Sequence, residues 1–334
     1  MSAPAETPGR DTPRGGLLTR LGRVNPVFWL LIALLAVIVI LSPNFLEPFG
    51  YMNFLRRAAP IAILAAGQVF VLTSGGFDLS QGAVVTLTVI GSSILLGANP
   101  DATAFVIAAM LAAGVAVGVV NGLVVAKLKV PSIIATLGMM ITLGGIALTW
   151  SGGAPRGYLP DTFRFFGRVM FKDVPLVTIL PVAVLVMIAV CAALWWIMHR
   201  TNFGKLLHAV GDNPRSALLA GVPVTKVRVG AFVLSSVSAV IAGILLGGFA
   251  GVSTDVGIGL ELQAITAAVI GGARLLGGHG AVGASVAGAL VLQALFTVLN
   301  MLGLPKPLRD VVQGLILISA VAVATWRRRR SGEE

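Results

Sequence analysis

The chain has 334 residues, 57% of them hydrophobic, and its 41 glycines raise the apolar share to about 69%, where a soluble domain shows roughly 45–50%. Charged residues make up 11%, 24 basic and 13 acidic, too few to cover a water-exposed globule of this size, so a soluble fold is excluded. The net charge of +11 is scattered through the intervening loops with no aromatic-interleaved basic face, which argues against nucleic acid as a partner.

Apolar runs bounded by charges predict an all-α integral membrane protein of about ten transmembrane helices, at 26–43, 58–77, 80–97, 102–126, 131–150, 174–197, 229–250, 260–273, 281–301 and 310–326. The eighth is the shortest. A helix among lipid and other helices is apolar all round, so lengths and charge breaks define these spans rather than periodicity. Residues 1–25 carry Arg10, Arg14, Arg20 and Arg23 among Pro and Gly, like the charged region of a signal peptide, but no small-residue cleavage site follows. They read as a disordered cytoplasmic tail, 26–326 as one transmembrane domain, and 327–334 as a short cytoplasmic tail whose Arg327–Arg330 anchors on anionic membrane lipid.

With both termini cytoplasmic, the inner loops hold sixteen basic residues and the outer loops eight, Arg56 and Arg57 among the latter. That is the asymmetry of the positive-inside rule. The predicted span interiors hold no ionisable side chain, and Asp78 and Glu261 fall at span edges. A charge at the bilayer centre costs at least about 2.5–3.5 kcal/mol and persists only for a use, so proton or sodium coupling through a buried carboxylate is disfavoured. The neutral polar residues within spans are Gln68, Asn121, Thr136, Gln263, Gln293 and Asn300, each serving either a solute pathway or helix–helix hydrogen bonding. Asp78 follows Gly75-Gly76, where a helix can break, and either takes a pathway or conformational role or caps a helix at the interface.

Gly114, Gly118 and Gly122, and again Gly243, Gly247 and Gly251, recur every four residues and predict close helix packing. Gly75-Gly76 with Gly82-Ala83-Val84 and Gly271-Gly272 with Gly280-Ala281-Val282 look alike at offsets of 196 to 198, the mark of an internal repeat or of two unrelated glycine hairpins. Lone Cys191 gives no disulfide framework, and His199, His208 and His279 lack metal-ligand spacing, so neither metal nor cofactor is expected.

Two loops are long. The outer one, 151–173, is rich in Gly, Pro and aromatic residues and is expected at the membrane surface. In the inner one, 198–228, Asn213 is a cap, Pro214 a preset first helical position and Gly221 a left-handed stop, which predicts a helix over 214–220. Two isolated turns are unstable in water, so something packs on Ala217, Leu218 and Ala220: the inner membrane face or a partner protein.

Thr201 to Val222 resembles the cytoplasmic signature of permease subunits of ABC sugar importers of the ribose/xylose/galactose type. Three further stretches match that family in order: Gly75-Gly-Phe-Asp-Leu-Ser-Gln-Gly82, Val130-Pro-Ser-Ile-Ile-Ala-Thr-Leu-Gly138, and Glu261 to Gly272 followed by Gly277-Gly278. The resemblance covers about 27 to 325. It implies that the short helix, with Gly204, Lys205, Gly211, Asn213, Pro214, Ala217 and Gly221, couples to an ABC ATPase subunit, single or tandem-domain, and that a periplasmic binding protein delivers a sugar. It also implies a homodimer, or a heterodimer with a paralogous permease, in a bacterial inner membrane. The chain departs from the pattern in Lys205 for Arg, Asp212 for Gly, Gln81 for Val, and Ser216 and Leu218 around Ala217.

No Walker A motif is present: Gly204-Lys205 is followed by Leu206 where Ser or Thr should hold Mg²⁺. Gly278-His-Gly-Ala-Val-Gly283 matches a dinucleotide-binding spacing only formally and reads as a tight helix connection. The expected function is the pore-forming, non-enzymatic subunit of an ATP-driven monosaccharide importer. The alternatives are the same architecture carrying a nucleoside or a furanone signal, a self-sufficient secondary carrier, and a membrane scaffold.

Overall fold

The structure, a computed structural model, describes residues 25–175 and 177–330. The expected N-terminal tail up to 24 and the last four residues lie outside the described residues. In chain order the elements are α1 (Pro26–Leu41), α2 (Pro48–Thr73), α3 (Gln81–Ala98), α4 (Thr103–Ala126), α5 (Ser132–Ser151), α6 (Asp161–Arg168), β1 (Met170–Val174), β2 (Thr178–Pro181) and α7 (Val182–Arg200). There follow α8 (Asn202–Asp212), α9 (Pro214–Leu219), α10 (Val224–Ala250), α11 (Leu260–Ile270), α12 (Val282–Met301) and α13 (Lys306–Arg330). Each of the ten expected apolar runs contains a helix. Among the described residues, six helices are long and apolar enough to cross a membrane: α2, α4 with its preceding turn, α5, α7, α10 and α12. Three apolar helices are shorter: α1, α3 and α11.

Two boundaries differ most from the sequence expectation. α2 begins at Pro48, ten residues early, because Pro is preset for a helix's first turn; Arg56 and Arg57 therefore lie within the helix and not in a loop. The Arg56 guanidinium stacks over the Phe249 ring at 5.7 Å. The span expected from 174 opens instead as an antiparallel β1–β2 hairpin, and α7 starts only after Pro181. The 151–173 loop also forms α6, whose Phe163 is buried and whose Gly167 has no room for a Cβ against the Leu245 carbonyl, so this loop is seated on the end of α10.

The core is built around α2 and α10. α2 is buried over 83% of its apolar window, a central helix surrounded by protein rather than lipid. The first glycine stripe lies against α10: a Cβ on Gly118 would sit 2.5 Å from Val233 Cα, and one on Gly122 equally close to Val229 Cα. Gly243 and Gly247 pack against α3 and α6, whereas Gly251 ends α10 at φ +84 with open space around it. The stripes are thus contact seams between neighbouring backbones, except for the last glycine of the second.

Gly118→Ala is expected to destabilise the chain by about 1–3 kcal/mol through overpacking, whereas Gly138→Ala, with nothing within 4 Å of the added carbon, should stay within about 0.5 kcal/mol of wild type. Thermal unfolding in detergent followed by size-exclusion chromatography would check the pair.

Candidate functional site: a helix break tied to a short capped helix

α2 ends in a Schellman turn: the Gly75 N–H donates to Leu72 C=O and the Gly76 N–H to Val71 C=O, with Gly75 at φ +83. The chain then runs through 77–80 without regular structure before α3 begins. Such a segment between packed helices leaves its peptide groups without helical partners, and side chains supply them. The Phe77 N–H donates to Ser132 Oγ and the Leu79 N–H to Thr136 Oγ1, both at 3.0 Å from the first turns of α5.

Asp78 is fully buried at the centre of this break, not at an interfacial edge as its place in the sequence suggests. One carboxylate oxygen accepts from the Ser80 N–H (2.9 Å) and the Ser80 hydroxyl (2.6 Å); the other accepts from the Ser235 hydroxyl of α10 (2.7 Å). Each hydroxyl is itself supplied from behind. Asn121 Nδ2 of α4 donates to Ser80 Oγ at 2.9 Å, and Gln81 Nε2 donates to Ser235 Oγ at 3.0 Å and to the Leu64 carbonyl of α2 at 3.3 Å. Two donor relays therefore converge on one carboxylate and join α2, α3, α4 and α10. Ser235 stands eleven residues into α10, so the carboxylate lies about 17 Å along that helix, well inside the bundle.

Three of the five expected pathway residues, Asp78, Asn121 and Thr136, meet here. Gln68 is buried elsewhere on α2, with neither end of its amide hydrogen-bonded among the described residues, and Gln263 is half-buried on α11; neither joins the network. Ser80, Ser132 and Ser235 are the members that sequence reasoning passed over. Only the pairing of Asp78 with a serine two residues on, an Asx-type turn, signals one of them locally.

The second half of the site is the 198–228 loop. The short helix forms as expected: Asn213 Oδ1 accepts from the Arg215 and Ser216 N–H groups at 3.0 Å, Pro214 opens α9, and Gly221 stands at φ +80. Ala217 is buried, but Leu218 and Leu219 are 63% and 83% exposed. Before it lies α8, not foreseen as a helix, which buries Leu207 and Val210 against Val69 and Phe70 of α2 and stacks Phe203 on Phe70. Gly204 has no room for a Cβ beside the Met198 carbonyl, so it sets the sharp turn from α7 into α8, while Lys205 is exposed.

Gly211 packs so closely on the Thr73 carbonyl and the Gly278 amide that no side chain fits. Gly278 donates its N–H to Thr73 C=O at 2.9 Å and accepts from His208 Nδ1–H at 3.0 Å. α11 ends in the same cap as α2, with Gly272 N–H to Val269 C=O and Ala273 N–H to Ala268 C=O and Gly272 at φ +95. The two glycine turns that look alike in sequence are thus alike in geometry, and the connection after the second touches the first: a Cβ on Gly277 would lie 2.9 Å from Gly75 Cα. Two of the departures from the family pattern fall at these joints, Gln81 in the carboxylate relay and Asp212 against Gly278.

Residues 50–321 match the family described as the permease component of the branched-chain amino acid transport system. The chain belongs to this permease family. It is 34% identical to the ribose import permease protein RbsC of Escherichia coli K12 over 88% of this chain and 91% of that one. It is 32% identical to the fructose import permease protein FrcC of Rhizobium meliloti, over 91% of this chain and 85% of the relative. Against the autoinducer 2 import system permease protein LsrC of Klebsiella pneumoniae it is 34% identical over 89% and 84%. No solved structure matches.

Ser235→Ala removes a donor to the buried carboxylate and one of the two acceptors of Gln81 Nε2, and should cost about 1.5–3 kcal/mol. Ser238→Ala, which loses only a bond to its own helix at Leu234, should cost less. Paired unfolding midpoints of the two variants would test the ranking.

Proposed function

We propose that the chain is the membrane-spanning permease of an ATP-driven importer for a small sugar-like solute, with α9 as the element that an ATPase subunit grips. The observation that carries this reading is a capped helix of six residues whose two leucines stand exposed in the most basic loop, on a chain with no nucleotide-binding motif. So short a helix persists only when packed, and two unpartnered leucines beside cationic residues suit a protein groove. The names of the relatives, import permeases for ribose, fructose and autoinducer 2, favour a polyhydroxylated solute.

In this reading ten helices span the membrane, both termini and α8–α9 lie on the basic, cytoplasmic side, and a binding protein delivers the solute to the opposite face. Two copies, or one copy and a paralogue, enclose the pathway. Nucleotide-driven movement of α9 passes through α8 to Gly211, and from there to the Thr73 carbonyl and the 271–281 connection together. The Asp78 network holds the break in α2–α3 in one of its arrangements, a conformational role for Asp78, Asn121 and Thr136 rather than direct contact with solute.

Leu219→Asp should leave the permease monodisperse, since the side chain is 83% exposed, yet weaken co-purification of the ATPase by about 2 kcal/mol or more, roughly thirtyfold, with loss of ATP-driven uptake. Gly211→Ala should still capture the ATPase but transport less solute per ATP hydrolysed, because the added carbon separates α8 from Thr73. Concentrative uptake by proteoliposomes containing this chain alone would sink the reading.

A further inference from the structure

Beyond Gly251 the connection to α11 does not stay at the helix ends. Gly247 packs beside Val89 of α3, but Gly257 packs against the Gly82 carbonyl and its N–H donates to Thr86 Oγ1 at 3.2 Å. The segment has therefore turned back along α3 by seven residues, about 10 Å. This is possible because position 82 is glycine: a Cβ there would run into the Glu261 carboxylate and the Gly257 carbonyl. The folded-back segment leaves a cavity of about 330 Å³ between α3, α5 and the start of α11.

The cavity has two unlike walls. Thr86, Thr254, Asp255 and Glu261 line one side, and Met140 and Ala147 of α5 belong to the other. No cation lines it, and among the described residues neither carboxylate has an ion-pair partner. It lies within the length of α3 and α5, which the import reading places in the membrane, where a carboxylate facing lipid costs at least about 2.5–3.5 kcal/mol. The cavity therefore opens to water or to protein. Its volume is at the lower end of small-molecule pockets, about 300–1,000 Å³, which suits one small ring.

We infer that this cavity is a station on the solute pathway for a neutral polyhydroxylated ring, an inference that rests on the import reading above. Glu261 and Asp255 accept hydrogen bonds from ring hydroxyls, the threonine hydroxyls complete that edge, and Met140 and Ala147 cover the C–H face. Two carboxylates without a cation exclude a solute that carries its own carboxylate, such as a branched-chain acid. The floor of the cavity, Gly82 and Ala83, is the first turn of α3, directly after the Asp78 break. A shift of that break alters the station's shape.

The test places one cysteine in the cavity and reads its chemistry. Gly144 lines the cavity and has open space for a side chain, so Gly144→Cys is made in a Cys191→Ala background, with Met140→Cys as a second probe should the first fail to reach the membrane. In open membrane fragments, accessible from both faces, the cysteine is treated with cationic trimethylammonioethyl or anionic sulfonatoethyl methanethiosulfonate, and the rate ratio is divided by that for free mercaptoethanol. The corrected ratio should favour the cation by at least about tenfold, and should fall towards unity when Glu261→Gln and Asp255→Asn are added. D-ribose at high millimolar concentration should slow both reagents, whereas isobutyrate should not. Absence of reaction with either reagent, equal corrected rates, or protection by isobutyrate as strong as by ribose would overturn the inference. These rates need neither ATPase nor binding protein, so their failure leaves the import reading standing, and failure of the α9 variants leaves the cavity standing.

Discussion

A peptide backbone that leaves helical geometry inside an apolar bundle must find hydrogen-bond partners there, and the rest of this structure follows from how residues 74–80 do so. Helices α4 and α10 each contribute a small polar side chain, α5 two and α2 a carbonyl, to hold a seven-residue break and its carboxylate. Because the partners come from separate helices, the arrangement is a property of the whole bundle. It cannot persist if one of those helices moves alone.

The same accounting explains why glycine is frequent at the junctions. Thr73 C=O is the acceptor for Gly278 N–H, and helix α8 reaches this carbonyl only because residue 211 lacks a side chain. α8 spans the short distance between the exposed leucines of α9 and the break. In the proposed coupling, displacement at the surface would be delivered to backbone atoms and not to flexible side chains, which suits a link that must transmit force with little slack.

Much of this was legible in the sequence. All ten apolar runs contain a helix, and the Asn213, Pro214 and Gly221 signals placed α9 because capping is a local matter of the backbone. What could not be read was set by partners distant in the chain. The depth of Asp78 depends on Ser235, 157 residues away, and an aspartate beside two glycines looks the same at an interface as in a core. Ser132 and Ser235 are unremarkable in composition and gain meaning only from the N–H or carboxylate that meets them. α8 was missed because its glycines, Gly204 and Gly211, weaken helix propensity, and burial of Leu207 and Val210 against α2 outweighs that penalty. The early start of α2 is not legible because two arginines look like a boundary in sequence, although a helix can carry them where an aromatic ring, here Phe249, receives one.

The contact of Gly211 with Gly278 also sets the unit by which this protein could be re-engineered. With α9 as the ATPase grip, as proposed, a chimera built to accept another motor protein would ordinarily exchange only the α8–α9 stretch. Here that stretch fits, atom against atom, onto a connector some seventy residues downstream, with His208 bonded to Gly278 and Asp212 filling the space beside it. A graft of the docking stretch alone would therefore mismatch its seat, and the smallest transplantable cassette is two-part: residues 201–222 together with 271–281.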